Sequence, residues 1–151
     1  MAIQQQSLED HDDDLKAIAA IAGTSGILQK TAANTWSLIS RTQSKSFVIT
    51  NPTASSDGPL WRVPYNITIV AVHLLCKGNV VVGQLDEMDS NGLNPTPVDA
   101  SDITGVVDTN VNDDGSLTNP GIDSGNYIGW HTTSVTLAPT KAIITFDYTI
   151  D

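Results

Sequence analysis

The sequence predicts a mainly β protein: an antiparallel β-sandwich or jelly roll, preceded by an N-terminal arm with one short helix. Three observations carry this. Two long runs, "NITIVAVHLLC" and "KAIITFDYTI", place apolar residues at every second position, the period of a strand. From residue 41 onward, Gly, Asn, Asp and Pro recur at short intervals with no helical periodicity between them. The one run with helical spacing lies near the start.

The arm covers residues 1–40. Ser7, Leu8, Glu9 and Asp10 resemble a capping box, with Asp10 where Glu usually stands. Asp10, Asp12, Asp13 and Asp14 crowd the first turns, where the helix dipole tolerates negative charge. Gly23 suits a helix C-terminus, so the expected helix runs over about residues 8–22. Its apolar stripe is Leu8, Leu15, Ile18 and Ile21. A helix this short is marginal alone in water, so the stripe needs a partner. That partner is its own β domain, copies of the arm, or another protein. The stretch "GTSGILQKTAANTWSLISR" follows, and its polar flanks read as a loop or linker. Yet it carries Ile27, Leu28 and Trp36, and a lone exposed indole leaves a large apolar surface in water.

Residues 41–151 form the β domain. "SKSFVIT" turns Phe47 and Ile49 inward. In the next long run Ile67, Ile69, Ala71 and His73 share one face, and Thr68, Val70, Val72 and Leu74 the other. Both faces are mostly apolar, so this strand is central. Lys77, Gly78 and Asn79 read as a hairpin turn into "VVVGQL", and residues 89–92 as a second turn. "DITGVVDT" and "NYIGWHTTSVTL" follow. The last strand puts Ala142, Ile144, Phe146, Tyr148 and Ile150 on one face and Lys141, Thr145, Asp147 and Thr149 on the other, wet one. About eight strands at this spacing make a sandwich or jelly roll.

Composition narrows the function. The formal net charge is −10, from 7 Lys+Arg against 17 Asp+Glu. Nucleic acid and anionic membrane surfaces both call for a basic face, so neither is an expected partner. No apolar run approaches the ~20 residues of a membrane span, and the first residues lack the basic start and apolar core of a signal peptide. A single cysteine, Cys76, excludes an intramolecular disulfide and a cysteine-rich zinc site.

Candidate chemistry is sparse. Glu87, Asp89, Asn91 and Gly92 fit the first half of a calcium loop, but Val98 stands where the closing Glu belongs. His11, His73 and His131 are far apart, and no spacing pairs them with a metal or a nucleophile. No nucleophile elbow, zinc-protease motif or phosphate loop occurs. The expectation is therefore no catalytic residues, no metal and no cofactor. Trp61, Tyr127 and Trp130 could stack on sugar rings, or pack in the core.

One resemblance is carried by particular residues. "ILQKTAANTWSLISR", with Gly26, Thr31, Asn34, Thr35, Trp36 and Leu38, resembles the junction element of bacteriophage tail-fibre and related virion proteins. The stretches beginning "LWRVPYNITIV" and "IDSGNYIGWHTTSV" resemble β domains of phage structural proteins. The resemblance implies a non-enzymatic virion component, assembled in the bacterial host cytoplasm. For a chain of 151 residues it implies a trimeric capsid decoration (cement) protein docked on the major capsid protein or another virion protein. The alternative is a small fibre knob that binds host glycan through Trp61, Tyr127 or Trp130. Either kind is a homotrimer, in which Leu8, Leu15, Ile18, Ile21, Ile27, Leu28 and Trp36 would lie under neighbouring subunits.

Overall fold

The computed structural model describes residues 13–21, 27–39, 41–113 and 117–151. The chain divides into two compact units, Met1–Arg41 with Ile150–Asp151, and Thr42–Thr149.

In the first unit, residues 13–19 are helical. The final turn tightens, with Ile21 N donating to Ile18 O at 3.2 Å. The expected helix start, with Leu8, and Gly23 lie outside the described residues. The segment read as a linker is a β-hairpin instead: β1 (Ile27–Ala32) pairs antiparallel with β2 (Thr35–Ile39). Threonine, isoleucine and tryptophan favour strands, and Asn34 turns the chain at φ 52°, a region asparagine tolerates. The loop is only Ala33 and Asn34, and the register shifts between Lys30 and Ala32. Polarity at the ends of this stretch concealed the hairpin, because both of its faces are only partly covered.

The second unit is a jelly roll. Its strands are β3 (Gln43–Thr50), β4 (Gly58–Arg62), β5 (Ile67–Lys77), β6 (Val81–Met88), β7 (Thr96–Pro97), β8 (Ile103–Thr104), β9 (Asn110–Asp113), β10 (Gly121–Ile122), β11 (Tyr127–Val135) and β12 (Lys141–Ile150). The pairing is nested: β3 with β12, β4 with β11, β5 with β10 and β9, and β6 with β7 and β8. A long antiparallel ribbon is thus rolled so that its strands alternate between two sheets. One sheet runs β10–β5–β12–β3 with β9 beside β5; the other runs β4–β11–β6–β7 with β8 beside β6. Val63, Ile67, Leu74, Leu85, Ile128, Trp130, Ile144 and Phe146 from both sheets form one buried cluster, so the roll closes by hydrophobic burial.

Two local expectations change. Lys77, Gly78 and Asn79 do not close a hairpin, since β5 and β6 belong to different sheets. Gly78, at φ 84°, carries the chain across the edge of the sandwich. Thr140 holds that corner through its N and Oγ1, which donate to Lys77 O at 2.8 and 3.1 Å. The second change lies inside β5, where the alternation shifts phase between Ala71 and Val72. Ile67, Ile69 and Ala71 are buried, but so are Val72, Leu74 and Cys76. His73 therefore leaves the face of Ile67, and Val72 and Leu74 join it. The shift falls between the two short strands that share this edge, β10 at Ile67–Thr68 and β9 at Val72–Leu75. On β12 the expected alternation holds for Ala142, Ile144, Phe146 and Tyr148, which are buried, but Ile150, beyond the last pair with β3 at Tyr148–Gln43, is 37% exposed.

Candidate functional site

The expected interface residues fall on a small unit with much apolar surface. On the helix, Leu15 is 63% exposed, while Ile18 and Ile21 are half-buried. On the hairpin, Ile27 pairs with Ile39, and Leu28 with Leu38. Strand alternation puts Ile27 and Ile39 on one face, and Leu28, Lys30, Trp36 and Leu38 on the other. Asp14 of the helix reaches the second face. Trp36 Nε1 donates to Asp14 Oδ1 at 3.1 Å, Lys30 Nζ donates to Asp14 Oδ2 at 2.7 Å, and the Lys30 ammonium lies 5.5 Å from the indole centroid. Trp36 is therefore half-buried within its own unit. Ile27, Leu28 and Ile39 remain 39–45% exposed.

The aromatic residues of the jelly roll are placed differently from a sugar platform. Trp130 is fully buried and donates to Thr132 Oγ1 at 3.0 Å; its strand alternation points it between the sheets, so it faces no ligand. Trp61 is half-buried against Phe146 (6.0 Å) and Tyr148 (5.6 Å), and Lys45 Nζ covers its ring at 4.2 Å. Lys45 points inward from β3, an edge strand, which discourages pairing with a further strand. Tyr127 is half-buried at the start of β11, beside Arg62 and Met88 in register. The three rings do not form a shared surface.

The residues of the half calcium loop are also occupied. Asp89 Oδ1 accepts from the amides of Asn91 (2.8 Å) and Leu93 (3.0 Å), and Oδ2 from Asn94 Nδ2. These bonds hold the Asp89 carboxyl below its usual pKa. Glu87 instead accepts from Asn126 Nδ2 and Asp123 N. The two carboxylates thus serve different loops.

Two histidine–carboxylate pairs escaped the sequence reading. Ser44 on β3, Asp147 on β12, His73 on β5 and Asn110 on β9 form a polar row across one sheet. Ser44 Oγ donates to Asp147 Oδ1, His73 Nε2 lies 3.2 Å from Asp147 Oδ2, and Asn110 Nδ2 lies 3.4 Å from His73 Nδ1. The Ser44 bond, then that of His73, hold Asp147 below its usual pKa. Ser44 is bonded to the acid rather than to the imidazole, so the row lacks the nucleophile–base contact of a serine hydrolase. The phase shift in β5 is what brings His73 out to Asp147. In the other sheet, His131 Nδ1 lies 3.1 Å from Asp57 Oδ1, which also accepts from Thr132 N.

The least ordinary side chains are Asp86 and Asp99, each only 2% exposed. Their Oδ1 atoms have no hydrogen-bond partner among the described residues. Burial raises both carboxyls to about 6. Asp99 Oδ2 still accepts from Leu85 N at 3.4 Å.

No protein-family model matches the chain, and no curated protein matches it. Among solved structures, the chain is similar to one from the Bacillus endospore appendages, described as a novel family of disulfide-linked pili. The identity is 12% and the TM-score 0.34, over 75% of this chain and 92% of that one. It is also similar to a chain of the cyanophage Pam1 capsid asymmetric unit, at 10% identity and a TM-score of 0.36, over 86% of this chain and 94% of that one.

Proposed function

We propose that the protein is a non-enzymatic structural component of a phage virion: a trimeric decoration protein whose first 41 residues dock and whose jelly roll projects outward. One observation carries this reading. Among the described residues, a helical stretch over 13–19 and a two-stranded hairpin, each marginal alone, leave Leu15, Ile27, Leu28 and Ile39 exposed. Such a unit gains most when copies of it, and the lattice beneath, cover those side chains. The resemblance of residues 26–38 to phage junction elements supports the same assignment. The jelly roll, with its acidic surface and its aromatics largely packed, contributes a stable and soluble body. A glycan-binding knob fits less well, because Trp130 is inside the core and Lys45 occupies the ring of Trp61.

Cryo-electron microscopy of the purified particle, with copy number from quantitative mass spectrometry, tests the proposal. Threefold clusters of this chain on the head lattice, in hundreds of copies, are expected. Its absence from the particle, or about a dozen copies at the tail, would overturn the decoration assignment.

A further inference from the structure

The two buried aspartates lie where one segment of the jelly roll meets β6. The segment 97–104 contains Pro97 of β7, Val98, Asp99, Asp102 and β8, and it forms the outer border of β6. It is held there by Val98 N donating to Leu85 O at 2.9 Å and Leu85 N donating to Asp99 Oδ2 at 3.4 Å. The pairs Asp86–Pro97, Gly83–Ile103 and Val82–Thr104, and the bond from Gly105 N to Val81 O, complete the attachment. Asp86 thus stands on β6 opposite Pro97, and Asp99 lies on the segment itself.

The charged surroundings of these groups are mostly acidic. Asp86 is influenced by Asp57 before β4, Asp102 before β8 and His131 on β11; Asp99 by Asp113 on β9 and by Asp86. His131 favours the ionised form of Asp86, but desolvation outweighs it and the two carboxylates reinforce desolvation. Among the described residues, no lysine or arginine contributes to the shift of either carboxyl. An ionised carboxylate with an unpartnered oxygen inside a fold is costly. A neutral carboxyl is tolerated, since it keeps an acceptor for Leu85 N and carries no charge. The cost of ionisation is relieved once the segment lifts and water reaches both groups.

We propose that residues 97–104 form a proton-dependent latch on β6, closed while Asp86 and Asp99 are protonated and loosened when they ionise. The sign follows from the direction of the shift. Both carboxyls bind protons more tightly in the closed state, at about 6 against an ordinary aspartate's 3.8. The latch is therefore tightest below the ordinary carboxylate range, loosens as pH rises through about 6, and changes no further above it. Opening uncovers the β6 edge, where unpaired backbone groups can accept another strand.

Hydrogen exchange followed by NMR on the full chain, between pH 4 and pH 7, tests this. After correction for intrinsic exchange, protection at Leu85, Val98 and Gly105 is expected to fall by about a hundredfold for each carboxyl exposed. At pH 7 these amides should be less protected than those of the β3–β12 pair, and the difference should shrink at pH 4. Asp86→Asn and Asp99→Asn should each remove part of the pH dependence, and the double variant nearly all of it. Protection at the three amides that does not change with pH would overturn the proposal. So would a fall that matches the β3–β12 pair at every pH, because the loss would then be global. The wild-type series decides the matter even if the variants fold poorly.

Discussion

Trp36 Nε1 donates to Asp14 Oδ1 across 22 residues of sequence, at 3.1 Å. This bond ties the hairpin to the helix and holds the half-buried indole against it. With Lys30 on the same carboxylate, it joins elements too short to stand alone. Trp36→Phe keeps an aromatic ring, though a smaller one, but loses the donor, and is expected to cost the unit about 1 kcal/mol for the lost hydrogen bond. Asp14→Ala removes both bonds and should cost more. The indole N–H resonance of Trp36 checks this: Asp14→Ala should move it and speed its exchange with water, leaving the indole of Trp130 unchanged.

Trp130 belongs to the core. Trp130→Ala should destabilise the jelly roll by about 3–5 kcal/mol, read from urea unfolding. A near-neutral result would mean that the ring is not enclosed.

Gly83 lies against that ring. A Cβ there would come within 2.2 Å of His131 O and 2.7 Å of Trp130 Cζ2, and a backbone oxygen cannot yield without moving β11. Gly83→Ala should therefore destabilise by about 1–3 kcal/mol through overpacking, although alanine suits a strand better than glycine. Thermal unfolding of the variant tests it.

Asp147 supplies an acid limb to the stability curve. Its carboxyl is held below the ordinary value by Ser44 and His73, so it stabilises the fold above the unfolded-state pKa. That contribution disappears as pH falls through the lower, folded-state value. Asp147→Asn should flatten the loss of melting temperature at acid pH and leave the slope near pH 6, where Asp86 and Asp99 act, unchanged. An acid limb identical to that of the wild type would show that the Ser44–Asp147–His73 row is energetically idle.

Much of the jelly roll was legible in the sequence, because its largest strands obey a period of two. β12 buries four of the five residues that its alternation names, all but the terminal Ile150. β5 was legible only as far as Ala71. Beyond it, two short strands, β10 and β9, share one edge, and the phase shift between them turns His73 outward. Nothing in a run of Ile, Val, Ala and Leu marks such a shift, so the His73–Asp147 pair stayed hidden. The Lys77–Asn79 turn had the residues of a hairpin, but whether it joins strands of one sheet or two depends on pairings far along the chain. Asp86 sits in "QLDEM" on the polar phase of its strand. Its burial comes from the fold around it, which local pattern cannot reveal.

In the proposed function, residues 1–41 assemble the protein through apolar side chains left exposed in one chain. Light scattering coupled to size-exclusion chromatography tests it most directly, with the full chain and residues 42–151 compared at micromolar concentration. Three times the 16.0 kDa chain mass is expected for the full protein, and a folded monomer for the truncated one. A monomeric full chain, or a truncated chain that trimerises equally well, would contradict it.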